Sequence, residues 1–358
     1  MRLDIARRGG DESVGSLLCS GAMLGELPMI TAIRFKNFKA LRDTSVELGR
    51  YNLIVGPNGS GKSTLLTGVR LISNPEMFTR SQVSSVGSDL VMDTTEVEIS
   101  WAGSDPGTSW VKWYASRAHF NYEHGGPESL VSDALSQIRR AQVYGLNEEA
   151  IAAPVQLRPA IQLEANGAGL AGVLDRMRDE SPEGFEELNA EVGRLLPEFD
   201  RILFETPSPG VRGFMLRTTE GQHKIRAADL SQGVLLALAL LTLSYLPKPP
   251  SIIGLEEPDR GIHPRLYRDV QDALYRLSYP ESFGIHRAPV QVIVTTHSPF
   301  MLDLHRDHPE EIIIAEKTDR GSEFHRLSDR PDLADLLEGV SLGEAWYSGI
   351  LGGVPAVP

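Results

Sequence analysis

The sequence is poor in the features that mark secreted and membrane-spanning proteins. Its single cysteine, Cys19, excludes an intrachain disulfide, which is consistent with a reducing compartment. No stretch approaches the roughly eighteen uncharged apolar residues that a membrane-spanning helix requires. The longest mostly apolar run, Val234 to Leu243, has the length of a buried helix. These absences predict a cytoplasmic protein that has no membrane partner.

The chain also lacks an excess of positive charge. Its 35 lysines and arginines face 48 acidic residues, which gives a net charge of −13. Proteins that wrap around DNA phosphates are usually basic, so this balance argues against strong, autonomous DNA binding. A local basic groove is still compatible with it, and DNA stays open as a partner.

Three arginines and a short apolar patch stand near the beginning, but glycines and acids interrupt them. This pattern does not match a secretory signal, so we expect residues 1–28 to form a weakly ordered extension. No sustained heptad and no fixed-period repeat follows. A long coiled-coil arm is therefore not expected.

The periodicity of the remaining sequence predicts an α/β fold. Residues 29–73 and 230–358 alternate apolar strands with helices, which is typical of a mainly parallel sheet covered on both faces. Residues 74–229 are interpreted as an inserted lobe of strands and helices, including a helix from Glu128 to Val143. Three strands with loose alternation before residue 56 indicate an N-terminal antiparallel β element.

A glycine-rich motif lies between a short apolar strand and a helix. It begins at Gly56 and Pro57 and continues through Asn58, Gly59, Ser60, Gly61, Lys62, Ser63 and Thr64. This is the Walker A pattern, in which glycines let backbone N–H groups approach phosphate oxygens at a helix N-terminus. Lys62 is predicted to reach the β- and γ-phosphates of ATP, and the Ser63 hydroxyl to bind Mg²⁺. The competing interpretation is a glycine turn before a core helix.

Two adjacent acids, Glu256 and Glu257, end an apolar strand that begins at Ser251. Ligands bind at such strand ends in open α/β sheets, and the pair matches a Walker B arrangement. Glu256 is predicted to hold Mg²⁺, and Glu257 to orient and polarise the attacking water. Without the glycine-rich motif upstream, two solvated loop acids would be an adequate interpretation.

Two weaker motifs complete the order. The first is the string Leu230 to Gly233, which contains Ser231 and Gly233 and precedes the most apolar predicted helix. The simpler interpretation of this string is a serine N-cap. Position between the two Walker motifs instead favours a signature motif that offers a hydroxyl and N–H groups to a γ-phosphate. His297 ends a later apolar strand and is predicted to contact the γ-phosphate or the attacking water, although such histidines are usually structural.

With these four motifs in order, the chain resembles the ABC-type ATPases outside the transporters, a group that includes RecF, SMC and OLD-type proteins. The opening phrase from Ile33 to Leu41 and the segment from Glu257 to Pro264 support the resemblance. It is closest to stand-alone bacterial ATPases of the AAA family, without a coiled-coil arm or a TOPRIM domain. The resemblance implies an ABC-type P-loop NTPase fold, and a glutamine after the P-loop helix as a further Mg²⁺ ligand, for which Gln82 is the candidate.

The resemblance also implies a working unit of two copies that close around two ATP molecules. Hydrolysis of ATP to ADP and phosphate is expected to drive DNA maintenance or repair, or anti-phage defence, through a separate effector protein. Two alternatives stay open. The chain could be the nucleotide-binding subunit of an ABC transporter, or a non-hydrolysing module whose assembly ATP controls; the presence of Glu257 argues against the latter.

Overall fold

The computed structural model describes residues 29–85, 94–101, 110–115, 120–318, 321–334 and 339–352. The predicted extension over residues 1–28 lies outside this part of the chain. The strands are β1 Ile30–Phe38, β2 Leu41–Glu47, β3 Tyr51–Val55, β4 Thr95–Trp101, β5 Trp110–Ala115, β6 Phe120–Gly125, β7 Gln142–Tyr144, β8 Val155–Gln156, β9 Phe199–Glu205, β10 Val211–Thr218, β11 Lys224–Arg226, β12 Ile252–Glu256, β13 Gln291–Thr296, β14 Ile312–Thr318 and β15 Gly321–Arg326.

The helices lie between these strands. They are α1 Lys62–Ser73, α2 Arg80–Val83, α3 Glu128–Ile138, α4 Glu148–Ala152, α5 Leu170–Glu180, α6 Pro182–Leu195, α7 Gln232–Tyr245, α8 Tyr267–Ser278, α9 Pro299–Leu304 and α10 Leu342–Tyr347. Within the described residues, no helix is both long and apolar enough to cross a membrane.

The central sheet has the strand order β15-β14-β3-β13-β12-β7. Its strands run parallel except β15, which pairs antiparallel with β14. Every residue of β3 and β13 is buried, as expected for continuous apolar strands that are covered on both faces. The carboxyl ends of β3, β12 and β13 therefore meet at one edge of this sheet.

A second sheet, β2-β1-β4-β5-β6, is entirely antiparallel. Helix α1 lies against it, and a Cβ added at Gly68 of α1 would come within 2.3 Å of the Phe35 ring. Apolar residues of α1 share one core with this sheet and with inward residues of the central sheet. This packing holds the N-terminus of α1 at the end of β3.

Helix α7 is the most deeply buried helix of the described residues. Its residues from Val234 to Ser244 are all buried, which agrees with an apolar surface on every side. It belongs to a core that also contains α5, α6, α8 and the small sheet of β8 to β11. Burial of α7 fixes the position of Ser231 at its exposed N-terminal end.

The predicted fold class is confirmed, with a mixed and mainly parallel core sheet, an antiparallel β element and further α/β structure. The boundary drawn at residue 74 does not coincide with a boundary between sheets, because β4 pairs with β1 and β7 pairs with β12. The helix predicted from Glu128 to Val143 ends at Ile138. Val143 instead lies in β7, where it pairs opposite Gly254. The predicted division into ATPase core and inserted lobe stays a prediction.

Candidate nucleotide-binding site

The loop between β3 and α1 has the backbone conformation that its glycines predict. Gly59 and Gly61 have φ angles of 78° and 97°, in the left-handed region that side chains other than glycine rarely occupy. A Cβ at Gly56 would lie 2.2 Å from the carbonyl oxygen of Ala315 in β14. The loop is therefore seated tightly on the central sheet at Gly56 and turns sharply before α1.

Lys62 folds back into this loop. Its Nζ donates hydrogen bonds to the carbonyl oxygens of Gly56 at 2.8 Å and Pro57 at 2.9 Å, and the residue is buried. Burial lowers the pKa of Lys62 to about 8, although Glu257 and Glu256 attract its positive charge. A lysine held only by neutral carbonyls can exchange them for the oxygens of an anion, which fits a phosphate ligand.

The start of α1 presents further donors. Gly61 caps the helix without a side-chain hydrogen bond, so its first N–H groups need an acceptor from outside the helix. The Ser60 hydroxyl is fully buried and has no hydrogen-bond partner among the described residues. Ser63 is exposed and Thr64 is half-buried. This set of donors fits the phosphates of a nucleotide, with the Ser63 hydroxyl as a candidate Mg²⁺ ligand.

The paired acids stand beside the loop at the end of β12. Glu256 lies opposite Thr295 of β13, and Glu257 has a φ angle of 45°. This conformation is uncommon for a residue that carries a side chain. The Glu257 N–H donates to the Thr295 carbonyl at 3.0 Å, which holds the unusual turn in place.

His297 completes the cluster from β13. Its Nε2 lies 3.2 Å from the Glu257 Oε1. Burial lowers the pKa of His297, the charge of Lys62 lowers it further, and Glu257 acts in the opposite direction. A neutral imidazole that donates from Nε2 to the carboxylate agrees with this environment. The structure thus brings Lys62, Glu256, Glu257 and His297 to one edge of the sheet.

Asp259 follows the paired acids, and sequence reasoning gave it no role. It is buried, and burial raises the pKa of its carboxyl group, against the Thr296 hydrogen bond. Its Oδ1 has no hydrogen-bond partner among the described residues. A buried carboxylate without a cation partner is costly. The only sequence signal was its place two residues after Glu257.

The predicted signature residues lie at the N-terminal end of α7, outside the cluster of Lys62, Glu256, Glu257 and His297. Ser231 is exposed and caps α7 by accepting the Val234 N–H at 3.4 Å. A Cβ at Gly233 would lie 3.0 Å from the Gly261 carbonyl oxygen, so the start of α7 contacts the loop that follows the paired acids. Ser231 is thus exposed at the end of α7 that lies against this loop.

Gln82 lies in the short helix α2. It is exposed, and its side-chain oxygen accepts the N–H of Thr79 at 2.8 Å. This bond is a helix cap. The structure gives Gln82 a local role, and its assignment as a Mg²⁺ ligand stays a prediction.

Comparisons with known families and proteins agree with this geometry. Residues 157–303 match a family model described as "AAA domain, putative AbiEii toxin, Type IV TA system", and residues 29–103 match one described as "AAA ATPase domain". A curated relative, the OLD nuclease of Thermus scotoductus, is 21% identical over 346 residues. The match covers 82% of this chain and 63% of that protein.

Solved structures share the fold. An SMC head bound to the C-terminal winged-helix domain of ScpA superposes with a TM-score of 0.57 at 16% identity, and covers 83% of this chain and 97% of that one. An SMC head from Pyrococcus furiosus, bound to the C-terminal domain of ScpA, gives 0.58 at 14% identity, with 87% and 100% covered. The resemblance drawn from the sequence is confirmed.

Proposed function

We propose that this chain, a P-loop ATPase of the ABC type that is similar to SMC heads and OLD proteins, binds ATP with Mg²⁺ and hydrolyses it to ADP and phosphate. One observation carries the proposal. Lys62, Glu256, Glu257 and His297 come from three separate sequence motifs, and the fold brings them together at the carboxyl edge of β3, β12 and β13. Such an edge is where ligands bind in open α/β sheets.

The phosphates of ATP would be held by the loop and by the start of α1. The residues assigned to this task are Asn58, Gly59, Ser60, Gly61, Lys62, Ser63 and Thr64. Mg²⁺ would be held by Ser63 and Glu256, with Gln82 as the further candidate. When bound, it would neutralise phosphate charge.

The catalytic residues are proposed to be Glu257, His297 and Lys62. Glu257 is the carboxylate that orients and polarises the attacking water, because it follows the end of β12 and contacts His297. His297 donates to that carboxylate at 3.2 Å and holds its orientation. Lys62 provides positive charge at the phosphates as the bond to the leaving group breaks.

The active form is proposed to be a dimer that ATP closes. Ser231 is exposed and Gly233 is half-buried at the start of α7, and Gly233 lies against the Gly261 carbonyl oxygen. Because an exposed serine and the N–H groups of a helix start suit a γ-phosphate, a second copy would present them to the first copy's nucleotide. A two-fold axis makes two equivalent sites.

The biological role is proposed from the similar proteins. Similarity to SMC heads and to an OLD nuclease supports ATP-driven work in DNA maintenance, DNA repair or antiviral defence in the cytoplasm, together with a separate effector protein or DNA. The carboxylate at Glu257 favours hydrolysis over a non-hydrolysing assembly module. Nothing in these similarities favours a transporter subunit.

The test of hydrolysis is Glu257→Gln. The amide keeps the shape of the side chain but loses the charge that polarises water, so kcat should fall by roughly 10²- to 10⁴-fold. ATP binding in the presence of Mg²⁺ should persist. Phosphate release and fluorescent ATP titration measure the two quantities separately.

Glu220→Gln is the matched control, because Glu220 is exposed in a turn and belongs to none of the motifs. It should hydrolyse ATP at the wild-type rate. If Glu256→Gln spares Mg²⁺-dependent binding and removes only turnover, the roles of the two acids are reversed. If Glu257→Gln turns over ATP normally, the proposed catalytic carboxylate is wrong.

A further inference from the structure

The opposite edge of the central sheet contains a cavity of about 870 Å³. It lies where β7, β12 and β13 begin, with Gln142, Ser251 and Val290 in its wall. The loop from Leu246 to Ser251 forms much of its rim. The proposed ATP site lies at the carboxyl ends of the same strands, so the two regions are separated by the length of the sheet.

The wall of this cavity is strongly basic, in contrast to the whole chain. The described residues that line it include one carboxylate, Glu180, and five cations: Arg139, Arg140, Arg176, Lys248 and Arg287. Glu180 pairs with Arg176 at 3.5 Å. The chain as a whole has a net charge of −13. The cavity wall therefore carries an excess of four positive charges, although the net charge of the whole chain is negative.

Three of the guanidinium groups are held by neutral acceptors. Arg140 donates to the Pro249 carbonyl at 2.8 Å, Arg176 to the Ile161 carbonyl at 2.8 Å, and Arg287 to the Arg276 carbonyl at 2.9 Å. A carbonyl orients a guanidinium without cancelling its charge, as a carboxylate would. Arg140 and Arg287 are thus positioned in advance and stay available to an anion, whereas Arg176 also pairs with Glu180.

Arg287 is the cation of this wall whose environment most favours an anionic ligand. Burial lowers its pKa to about 10, and the neighbouring Arg276 lowers it further. Its Nε is buried without a hydrogen-bond partner in the described part of the chain. A buried donor left without an acceptor costs free energy. An anionic ligand oxygen would supply an acceptor for a group of this kind.

The remaining wall indicates what else the ligand carries. Pro247, Pro250, Ala288 and Pro289 give an apolar surface beside the cations. The volume lies within the range of small-molecule sites, roughly 300–1,000 Å³. A concave site of this size suits a compact ligand better than an extended nucleic-acid backbone.

We propose that this cavity binds a small ligand with several phosphate groups, of nucleotide size, independently of the P-loop. The ligand would contact Lys248 in the segment that joins the end of α7 to the beginning of β12. That segment connects the helix that starts next to Ser231 with the strand that ends in Glu256. The inference does not depend on the proposed hydrolysis.

The test uses the full chain with Lys62→Ala, so that the P-loop contributes little to binding. Inorganic tripolyphosphate is titrated by calorimetry at low salt. Arg139 and Lys248 are exposed, so Arg139→Ala with Lys248→Ala should leave the fold intact. Removing two charge-assisted contacts should weaken binding by roughly 10- to 100-fold.

Arg158→Ala with Lys224→Ala is the matched control, since both residues are exposed, lie outside the cavity wall and remove the same total charge. It should bind tripolyphosphate as the Lys62→Ala parent does. Equal weakening by both pairs, or no binding at millimolar concentration, would overturn the proposal. Tighter binding of a 20-nucleotide DNA strand through Arg139 and Lys248 would also overturn it, in favour of a nucleic-acid contact.

Discussion

The carboxyl and amino edges of the central sheet differ in the partners that they give to charged side chains. At the carboxyl edge, the charge of Glu257 acts on the pKa values of Lys62 and His297, and the charge of Lys62 lowers the pKa of His297. Glu257 also occupies a rare backbone conformation. At the amino edge, Arg140 and Arg287 are held by neutral carbonyls. The same strands thus support a cluster of opposite charges at one end and, at the other, cations that neutral carbonyls orient.

The amino edge also contains a buried polar cluster near the beginning of β3 and β14. The Glu311 carboxylate accepts hydrogen bonds from the hydroxyls of Tyr275 at 2.5 Å and Tyr279 at 2.7 Å. His305 stacks on Tyr51 with ring centroids 5.2 Å apart. The carboxylate and these two hydroxyls satisfy one another, which is typical of a structural cluster. The difference between the edges can therefore be tested through activity at one and stability at the other.

The largest effect is expected from Lys62→Ala. The substitution removes the loop's own cation from the phosphates, so hydrolysis should fall by roughly 10³-fold or more and ATP binding should weaken strongly. Phosphate release and ATP titration provide the measurement. Lys36→Ala, on the exposed face of β1, is the control and should keep wild-type activity. Wild-type hydrolysis by Lys62→Ala would refute the assignment of the P-loop.

A smaller effect is expected from Ser231→Arg. The bulky cation should block closure of two copies and reduce turnover by roughly 10- to 100-fold, while each copy still binds ATP. Ser341→Arg is the matched control, because Ser341 also caps a helix, accepting the Glu344 N–H at 3.1 Å, and its loss has the same local cost.

Mixing Ser231→Arg with Lys62→Ala sharpens this prediction. In a mixed dimer one shared site carries both defects and the other carries none, so part of the activity should return. Light scattering of Glu257→Gln protein with ATP should show dimers. Failure of complementation, together with a monomer under those conditions, would contradict the shared-site model.

Sequence reasoning reached the carboxyl edge because its groups stand in contiguous motifs. Gly56 to Thr64 form one loop whose glycines have a stated backbone task, and Glu256 and Glu257 follow directly from an apolar strand. Conversely, Arg139, Arg176, Lys248 and Arg287 are far apart in the sequence. Only tertiary packing brings them into one wall, so no local sequence pattern could predict the cavity.

The elements of the fold also differ in whether a local sequence pattern could predict them. Apolar strands such as β12 and β13 could be predicted, because continuous burial requires continuous hydrophobicity. The short strand β7 could not, since three residues after a helix carry no distinct period. Its pairing with β12 decides that Val143 belongs to the sheet. Asp259 was missed for a related reason, because burial of a loop acid depends on its neighbours.

The smallest predicted effect is a pH dependence of stability at the amino edge. The His305 Nδ1–H donates to the Met301 carbonyl at 2.7 Å, and Nε2 is buried without a partner among the described residues. Protonation would place an N–H⁺ where no acceptor lies, and burial accordingly lowers the pKa of His305 to about 4. The unfolded chain has an ordinary histidine pKa of about 6.5.

Below pH 6.5 the unfolded state therefore binds a proton that the folded state refuses, and stability falls until the pH reaches the folded pKa. This term should remove about 2 kcal/mol of the free energy of unfolding between pH 7 and pH 5. His305→Gln cannot bind that proton, so its stability should decline less over this range. Glu311 has a raised pKa and acts in the opposite direction in both proteins, so the difference between them isolates His305. Urea unfolding at each pH measures it, with His223→Gln, at an exposed position beside a turn, as the control. Equal slopes for wild type and His305→Gln would contradict the prediction.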